Sequence, residues 1–190
     1  PDPCISAKET TTVANSATYA SAKANILNAN PTVEHSITLG YDANGNITQA
    51  PMNNGGTNDV VVNQTWLKAF ANMHNHPNET PLSSGDIYNA VTLNSNNSNM
   101  TTSYILTSGE TYAIVVTDLA AAKAFVTAYP ADISPIYPPE FPDVIFNQIE
   151  NLKDYMGYGI EGRTTAIASI LDQYNSGITL MKQDSNGVFY

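Results

Sequence analysis

The chain has 190 residues, a formal net charge of −10 and only seven lysines and arginines. This length fits one domain with a sizeable hydrophobic core, and the acidic balance argues against nucleic acid as a partner, because phosphate binding needs a basic patch. Cys4 is the only cysteine, which excludes an intramolecular disulfide and a cysteine-based zinc ribbon. No apolar run approaches the roughly 18 residues that a membrane-spanning helix needs.

The first part of the chain is predicted to form one helix followed by short strands. Residues 7–29 are rich in alanine and carry an apolar stripe at helical spacing, which predicts a helix. Residues 35–50 alternate apolar and polar side chains around an Asn-Gly pair, which predicts a hairpin. Residues 60–62 are predicted to form a short strand, and residues 65–71 either a helix or the approach to the next strand.

The middle of the chain continues with a helix over residues 83–93 and a second hairpin formed by residues 102–106 and 111–117. An aspartate then caps a helix that is predicted to run from residue 118 to about residue 128.

A proline-rich connector over residues 130–142 offers the only credible boundary in the chain. Beyond it we expect two helices, over residues 141–156 and 164–174, and then a strand, a turn and the start of another strand over residues 178–190. The interpretation divides the chain into a main part, residues 1–129, and a second part, residues 130–190, packed on the same domain.

The most informative stretch of the sequence is His74-Asn75-His76-Pro77, with Asp86 ten residues after the second histidine. Two imidazoles at positions i and i+2 of an extended segment point to the same face. An aspartate from the start of the next helix could join them. Three protein ligands with an open fourth position are the arrangement of a catalytic zinc.

The same residues also allow a plainer interpretation. His-Asn-His-Pro is compatible with a polar turn, and Ser83-x-x-Asp86 is compatible with a capping box at a helix start. Capping does not exclude ligation, because Asp86 can bind a metal while Ser83 caps the helix. The convergence of a strand, a short loop and a helix N-terminus on one point favours the metal site.

The pattern resembles the JAMM (JAB/MPN) metallopeptidases, including the bacterial RadC-like branch. Their signature is an upstream glutamate, then H-x-H, usually followed by proline, and then S-x-x-D. The resemblance implies that the zinc ligands are His74, His76 and Asp86. It further implies that Ser83 helps to hold the oxyanion of the scissile carbonyl and that Glu34 is the general base.

The resemblance also implies a fold and an activity. The order of elements from about residue 7 to residue 117 implies an α/β fold, a JAMM/cytidine-deaminase-like mixed β-sheet flanked by helices, with residues 1–129 as the metallopeptidase domain. Residues 130–190 would be a helical and hairpin extension. The implied activity is zinc-dependent hydrolysis of a peptide or isopeptide bond in a peptide or protein substrate.

Two alternatives stay open at the level of sequence. Glu79 is nearer to the histidines along the chain than Glu34 and is a second candidate for the base. The spacing from His76 to Asp86 is one residue shorter than the family's usual spacing. This difference favours a non-catalytic zinc-containing binding domain of a larger secreted or surface protein. Low lysine with abundant Asn, Thr and Ser predicts export, as a secreted, periplasmic or surface-anchored protein.

Overall fold

The structure, a computed structural model, describes residues 2–77, 81–107 and 109–190, and these residues form six helices and seven strands. In chain order the elements are α1 (Pro3–Ala14), α2 (Ala17–Leu27), β1 (His35–Tyr41), β2 (Ile47–Gln49), β3 (Asn53–Asn54), β4 (Ala69–Asn75), α3 (Ser84–Asn96), β5 (Thr102–Thr107), β6 (Glu110–Val116), α4 (Leu119–Ala128), α5 (Asp143–Met156), α6 (Gly159–Gln173) and β7 (Ile178–Lys182). Within these described ranges, no helix has both the length and the apolarity that a membrane crossing needs.

The strands form one open, mixed sheet with the order β2-β1-β4-β5-β6-β7, and β3 pairs separately with β1. All pairs are antiparallel except β4 and β5, which run parallel. The predicted α/β class, a mixed sheet flanked by helices, is therefore confirmed. Both predicted hairpins are also present, as β1–β2 and β5–β6.

Alternation along the strands creates a separate hydrophobic core on each face of the sheet. On β6, Ala113 and Val115 pack with α2 on one face. Tyr112 and Ile114 pack with α3, α5 and α6 on the other face. The helices of both ends of the chain are thus needed to cover the sheet.

The single helix predicted over residues 7–29 is wrong, because the structure has two helices there. The break falls at Asn15 and Ser16, and the Ser16 hydroxyl accepts a hydrogen bond from the Tyr19 N–H at 3.2 Å. Short polar side chains of this kind compete with the helical backbone and favour its ends over its interior.

The predicted strand over residues 60–62 is also wrong. This segment lies across β1, where side chains bind its carbonyl groups. Ser36 Oγ donates to Val61 O at 2.6 Å, and Thr38 Oγ1 donates to Asn63 O at 2.9 Å. Apolar β-branched residues favour a strand, but here these long-range bonds occupy the carbonyls that a sheet ladder would use. Residues 65–71 approach and enter strand β4, one of the two predicted possibilities.

Residues beyond the proline-rich connector share a core with the rest of the protein. Ile145 and Ile149 of α5 and Ile167 of α6 belong to the same buried cluster as Ile87 of α3 and Ile114 of β6. Strand β7 pairs with β6 along five residues. The packing of residues 130–190 on the first part is the physical basis for expecting one cooperative unit.

The first prediction tests this shared core. Ile149→Ala removes buried methyl groups from the cluster and should lower the free energy of unfolding by about 2–5 kcal/mol. Tyr155→Ala, at an exposed position of the same helix, should change it by less than about 0.5 kcal/mol. Urea denaturation followed by circular dichroism and by tyrosine fluorescence measures both. Separate transitions for the two parts of the chain would contradict the prediction.

Candidate metal centre

The three residues of the predicted metal site lie together in the structure. His74 is on β4, His76 follows the end of that strand, and Asp86 is in the first turn of α3. The Nε2 atoms of the two histidines are 3.2 Å apart. His74 Nε2 lies 3.1 Å from Asp86 Oδ1, and His76 Nε2 lies 3.1 Å from Asp86 Oδ2. These residues could hold a metal ion.

The position of the histidines follows from the alternation along β4. Ala71 and Met73 point into the core on the α2 side of the sheet. His74 therefore points to the opposite face. His76 continues the ladder beyond the strand, because its N–H donates to Leu106 O at 2.8 Å. The site thus lies beyond the carboxyl ends of the parallel strands β4 and β5, a usual place for ligands in α/β sheets.

The distances between the three side chains suit tetrahedral coordination. Zinc–nitrogen and zinc–oxygen bonds are about 2.0–2.2 Å long, so neighbouring ligand atoms of a tetrahedron lie about 3.3–3.6 Å apart. The two Nε2 atoms are 3.2 Å apart, and each lies 3.1 Å from a different oxygen of Asp86. Small rotations of the side chains would bring both nitrogens and one carboxylate oxygen to tetrahedral spacing around an ion.

The tautomer of His76 is set by the loop that follows it. His76 Nδ1 lies 2.8 Å from the carbonyl oxygen of Pro81. A carbonyl can only accept, so Nδ1 carries the proton, and in the neutral ring the Nε2 lone pair faces Asp86 and His74. A hydrogen bond of this kind on the far side of the ring is the usual support of a metal-binding histidine.

Asp86 is held by the start of α3 as well as by the histidines. Ser83 is the N-cap, and its N–H and hydroxyl donate to Asp86 Oδ2 at 2.9 and 2.8 Å. The Asp86 N–H in turn lies 3.2 Å from Ser83 Oγ, which completes the predicted capping box. Ser83 therefore fixes the carboxylate in the orientation that meets both imidazoles.

The electrostatics of the cluster favour a carboxylate facing a positive charge. Burial opposes ionisation of Asp86, but hydrogen bonds and charge from His74 and His76 outweigh it and hold the pKa of Asp86 well below its ordinary value. Burial likewise opposes a charged His76, but Asp86, the Pro81 carbonyl and Glu34 together raise the pKa of His76. The site is therefore a place where a cation is stabilised.

Glu34 lies beside this cluster, immediately before β1. Its side chain is buried, since the residue is only 8% exposed. Burial is the main reason that the pKa of Glu34 is raised, and the charges of His74 and His76 lower it only in part. The charges of both histidines and of Asp86 act on Glu34, so its carboxyl group lies in the vicinity of the candidate site.

The backbone around Glu34 is fixed from two sides. Its N–H donates to Gly56 O and its carbonyl accepts from Gly55 N, both at 2.8 Å. On the other side, Asn75 bridges the neighbouring residues: its Oδ1 accepts from the His35 N–H at 2.7 Å, and its Nδ2 donates to Val33 O at 3.2 Å. Asn75 thus clamps the Glu34 segment to the strand that carries the histidines.

The sequence-predicted residues have three different outcomes. His74, His76 and Asp86 come together as expected, and Glu34 lies in their vicinity, where their charges act on it. Ser83 acts as the helix cap and binds Asp86, while its proposed contact with a substrate stays a prediction. Glu79 lies outside the described residues. Sequence reasoning did not assign a role to Asn75, although its place between the two histidines was the available signal.

No protein-family model matches the chain, and neither a curated protein nor a solved structure matches it significantly. The metallopeptidase resemblance therefore depends on the motif residues and on their geometry alone.

A second prediction follows from the charges of the metal-free cluster. Asp86 has a lowered pKa, so its stabilising contribution is present above about pH 3.9, the unfolded value, and is lost as the pH falls through the folded value. His76 has a raised pKa, so its contribution is present below about pH 6.5 and is lost as the pH rises through the folded value. Together they stabilise most between these limits.

Urea denaturation of chelator-treated protein at about pH 5.5 and about pH 8 measures the effect. The difference in unfolding free energy between wild type and Asp86→Asn should be larger at the lower pH. A difference that grows towards pH 8 would contradict the proposed ion pairing.

A third prediction concerns the Asn75 clamp. Asn75→Leu leaves the His35 N–H and the Val33 carbonyl without their partner and should destabilise the protein by about 1–3 kcal/mol. Amide hydrogen exchange at His35, Glu34 and Gly55 should become faster. Asn72→Leu is the matched control on the same strand, since Asn72 donates to Ser103 and not to the Glu34 segment. Equal exchange at Glu34 in both variants would show that Asn75 does not position it.

Proposed function

We propose that the chain is a zinc-dependent hydrolase of peptide or isopeptide bonds with a JAMM/cytidine-deaminase-like fold. The observation that carries the proposal is the buried Glu34 beside a cluster of two histidines and one aspartate. A structural zinc site uses four protein ligands, whereas three ligands and a nearby acid–base group are typical of a catalytic one.

The donor set supports zinc as the ion. Two imidazole nitrogens and one carboxylate oxygen, from His74, His76 and Asp86, are borderline donors that suit zinc better than calcium or magnesium. When bound there, zinc would polarise the scissile carbonyl and lower the pKa of the attacking water to about 7.

Glu34 has the properties of the general base. Its carboxylate would take the proton from the attacking water as the carbon–oxygen bond forms. It would then give the proton to the leaving nitrogen as the carbon–nitrogen bond breaks. Burial raises the pKa of Glu34, and this helps a carboxyl group to hold the proton between the two steps.

Ser83 is the proposed donor to the oxyanion that develops on the scissile carbonyl. Its hydroxyl hydrogen points to Asp86 Oδ2 in this structure. The role therefore requires the hydroxyl to rotate about its Cβ–Oγ bond towards the substrate when substrate binds. One donor of this kind typically contributes ~2.7–4 kcal/mol to the stabilisation of the transition state.

The chain order of the elements supports the fold proposal. Helices precede Glu34, a hairpin follows it, and the histidine strand β4 lies beside β1 in the sheet. The antiparallel register places Ser36 opposite His74, so Glu34 comes next to the residues just past the end of β4. The Ser83-x-x-Asp86 helix then completes the order that the resemblance implies.

A non-catalytic zinc-containing binding domain is the second candidate. It is favoured by the engagement of Ser83 with Asp86 and by the short spacing between His76 and Asp86. In that case the same three ligands bind the ion, and Glu34 has no proton to move. The two candidates thus agree on metal content and disagree on the effect of Glu34.

The fourth prediction separates them. Zinc-loaded protein is assayed with unstructured peptides and with a lysine-linked isopeptide, and cleavage is followed by mass spectrometry. Glu34→Gln should reduce kcat by about 10²–10⁴-fold while zinc content stays unchanged, because Glu34 moves the proton without binding the ion. Glu9→Gln, at an exposed position on α1, is the matched control and should keep full activity.

Glu79→Gln is measured in parallel. Loss of activity in that variant, with Glu34→Gln active, would move the base to Glu79. Absence of cleavage by the zinc-loaded wild type would favour the binding domain. Full activity in both glutamine variants would defeat the proposed mechanism.

A further inference from the structure

A groove of about 590 Å³ borders the candidate metal centre at Ser83, the residue that caps α3. Its near wall contains Pro81, Ser83 and Ser84, which are the loop and helix start that orient His76 and Asp86. Its far wall is built mainly by the proline-rich connector and includes Tyr137. A molecule in this groove would contact the residue that caps the metal-binding helix.

The far wall is a closed loop, residues 132–140, which we call the proline strap. Its two ends pair through the backbone: the Asp132 N–H donates to Glu140 O at 2.8 Å, and the Glu140 N–H donates to Asp132 O at 3.1 Å. Three of the residues in between are prolines, at positions 135, 138 and 139. Proline fixes its own φ angle, so the strap loses little conformational freedom when it binds a partner.

The base of the strap is anchored to two helices. The Glu140 carboxylate accepts a hydrogen bond from the Ser84 hydroxyl on α3. It also accepts two bonds from Arg163 Nη2 on α6, at 3.0 and 3.1 Å. Because Ser84 is next to Ser83, the strap is tied to the same turn that holds Asp86. The groove is therefore a preformed feature of the site.

The strap exposes large apolar side chains. Ile133, Ile136 and Tyr137 are 77%, 79% and 71% exposed. Single exposed apolar residues are ordinary, but three of them on one nine-residue loop form a patch of the kind that marks binding surfaces. Tyr137 lines the groove itself, where its ring can pack against a bound chain.

The charges in the groove favour a basic partner. Glu140 and Arg163 pair with each other. Asp132 also lines the groove, and among the described residues its carboxylate has no ion-pair or hydrogen-bond partner. The whole chain has a net charge of −10. A lysine or arginine side chain in the groove would meet Asp132, whereas an acidic side chain would be repelled.

We propose that this groove is the substrate subsite next to the scissile bond, and that it takes an extended polypeptide segment carrying a lysine or arginine side chain. The basic side chain lies against Asp132, and neighbouring apolar side chains pack on Tyr137. The assignment of the bound segment as substrate rests on the proposed hydrolase function. Binding itself can be measured without hydrolysis.

The test uses zinc-loaded Glu34→Gln protein and two dye-labelled peptides of equal length, measured by fluorescence anisotropy. One peptide has a central lysine between leucines, and the other has glutamate at that position. The lysine peptide should bind about two- to fivefold more tightly, as expected for one ion pair near the surface. The further substitution Asp132→Asn in the same protein should remove this preference. Asp154→Asn is the matched control, because Asp154 is exposed on α5 and outside the groove, and it should keep the preference.

Tyr137→Ala should weaken the binding of both peptides, whereas Tyr158→Ala, at a 98% exposed position outside the groove, should not. Equal affinity for the two peptides, no binding of either, or a preference that survives in Asp132→Asn would overturn the proposal. Cleavage by the zinc-loaded wild type is measured separately. Lysine-selective binding without cleavage would contradict the proposed hydrolase function and support the groove as a binding site. Cleavage with no charge preference would support the hydrolase function and contradict the proposed role of the groove.

Discussion

The structure of the centre depends on one constraint: two imidazole nitrogens and a carboxylate meet in a buried space. His74 Nε2 and His76 Nε2 are 3.2 Å apart, and both lie 3.1 Å from Asp86. Two lone pairs cannot face each other at that distance without a proton or a metal ion between them. In our proposal the ion is zinc in the working protein. The same proximity raises the pKa of His76 and lowers the pKa of Asp86.

The surrounding fold explains how this arrangement is maintained. The pairing of β1 with β4 positions Glu34 on one side of the centre. Asn75 binds the backbone on both sides of Glu34, at the point where the regular pairing of the two strands ends. On the other side, α3 presents Asp86 from a capped first turn. Helices α5 and α6 support α3 through the shared core. The proline strap is bound to the start of the same helix, because Glu140 accepts a hydrogen bond from Ser84.

Short sequence motifs were enough to predict the parts of this site whose residues lie close together along the chain. The two histidines two residues apart, and the serine three residues before the aspartate, identify the residues that could hold a metal ion and the helix cap without knowledge of the fold. Long-range contacts were not predictable in this way. Asn75 binds backbone 40 and 42 residues away, and residues 60–63 lie across β1 because Ser36 and Thr38 bind their carbonyls. The spacing of apolar residues along the chain carries no information about such contacts. For this reason the prediction of a strand at residues 60–62 was wrong.

The most direct test of the account is a crystal structure of the zinc-loaded protein with data collected at the zinc absorption edge. The account predicts one anomalous peak about 2.0–2.2 Å from His74 Nε2, His76 Nε2 and an Asp86 oxygen. It also predicts that the fourth position faces Glu34 and is not taken by a protein atom. A peak elsewhere, or a fourth protein ligand that closes the site, would contradict it.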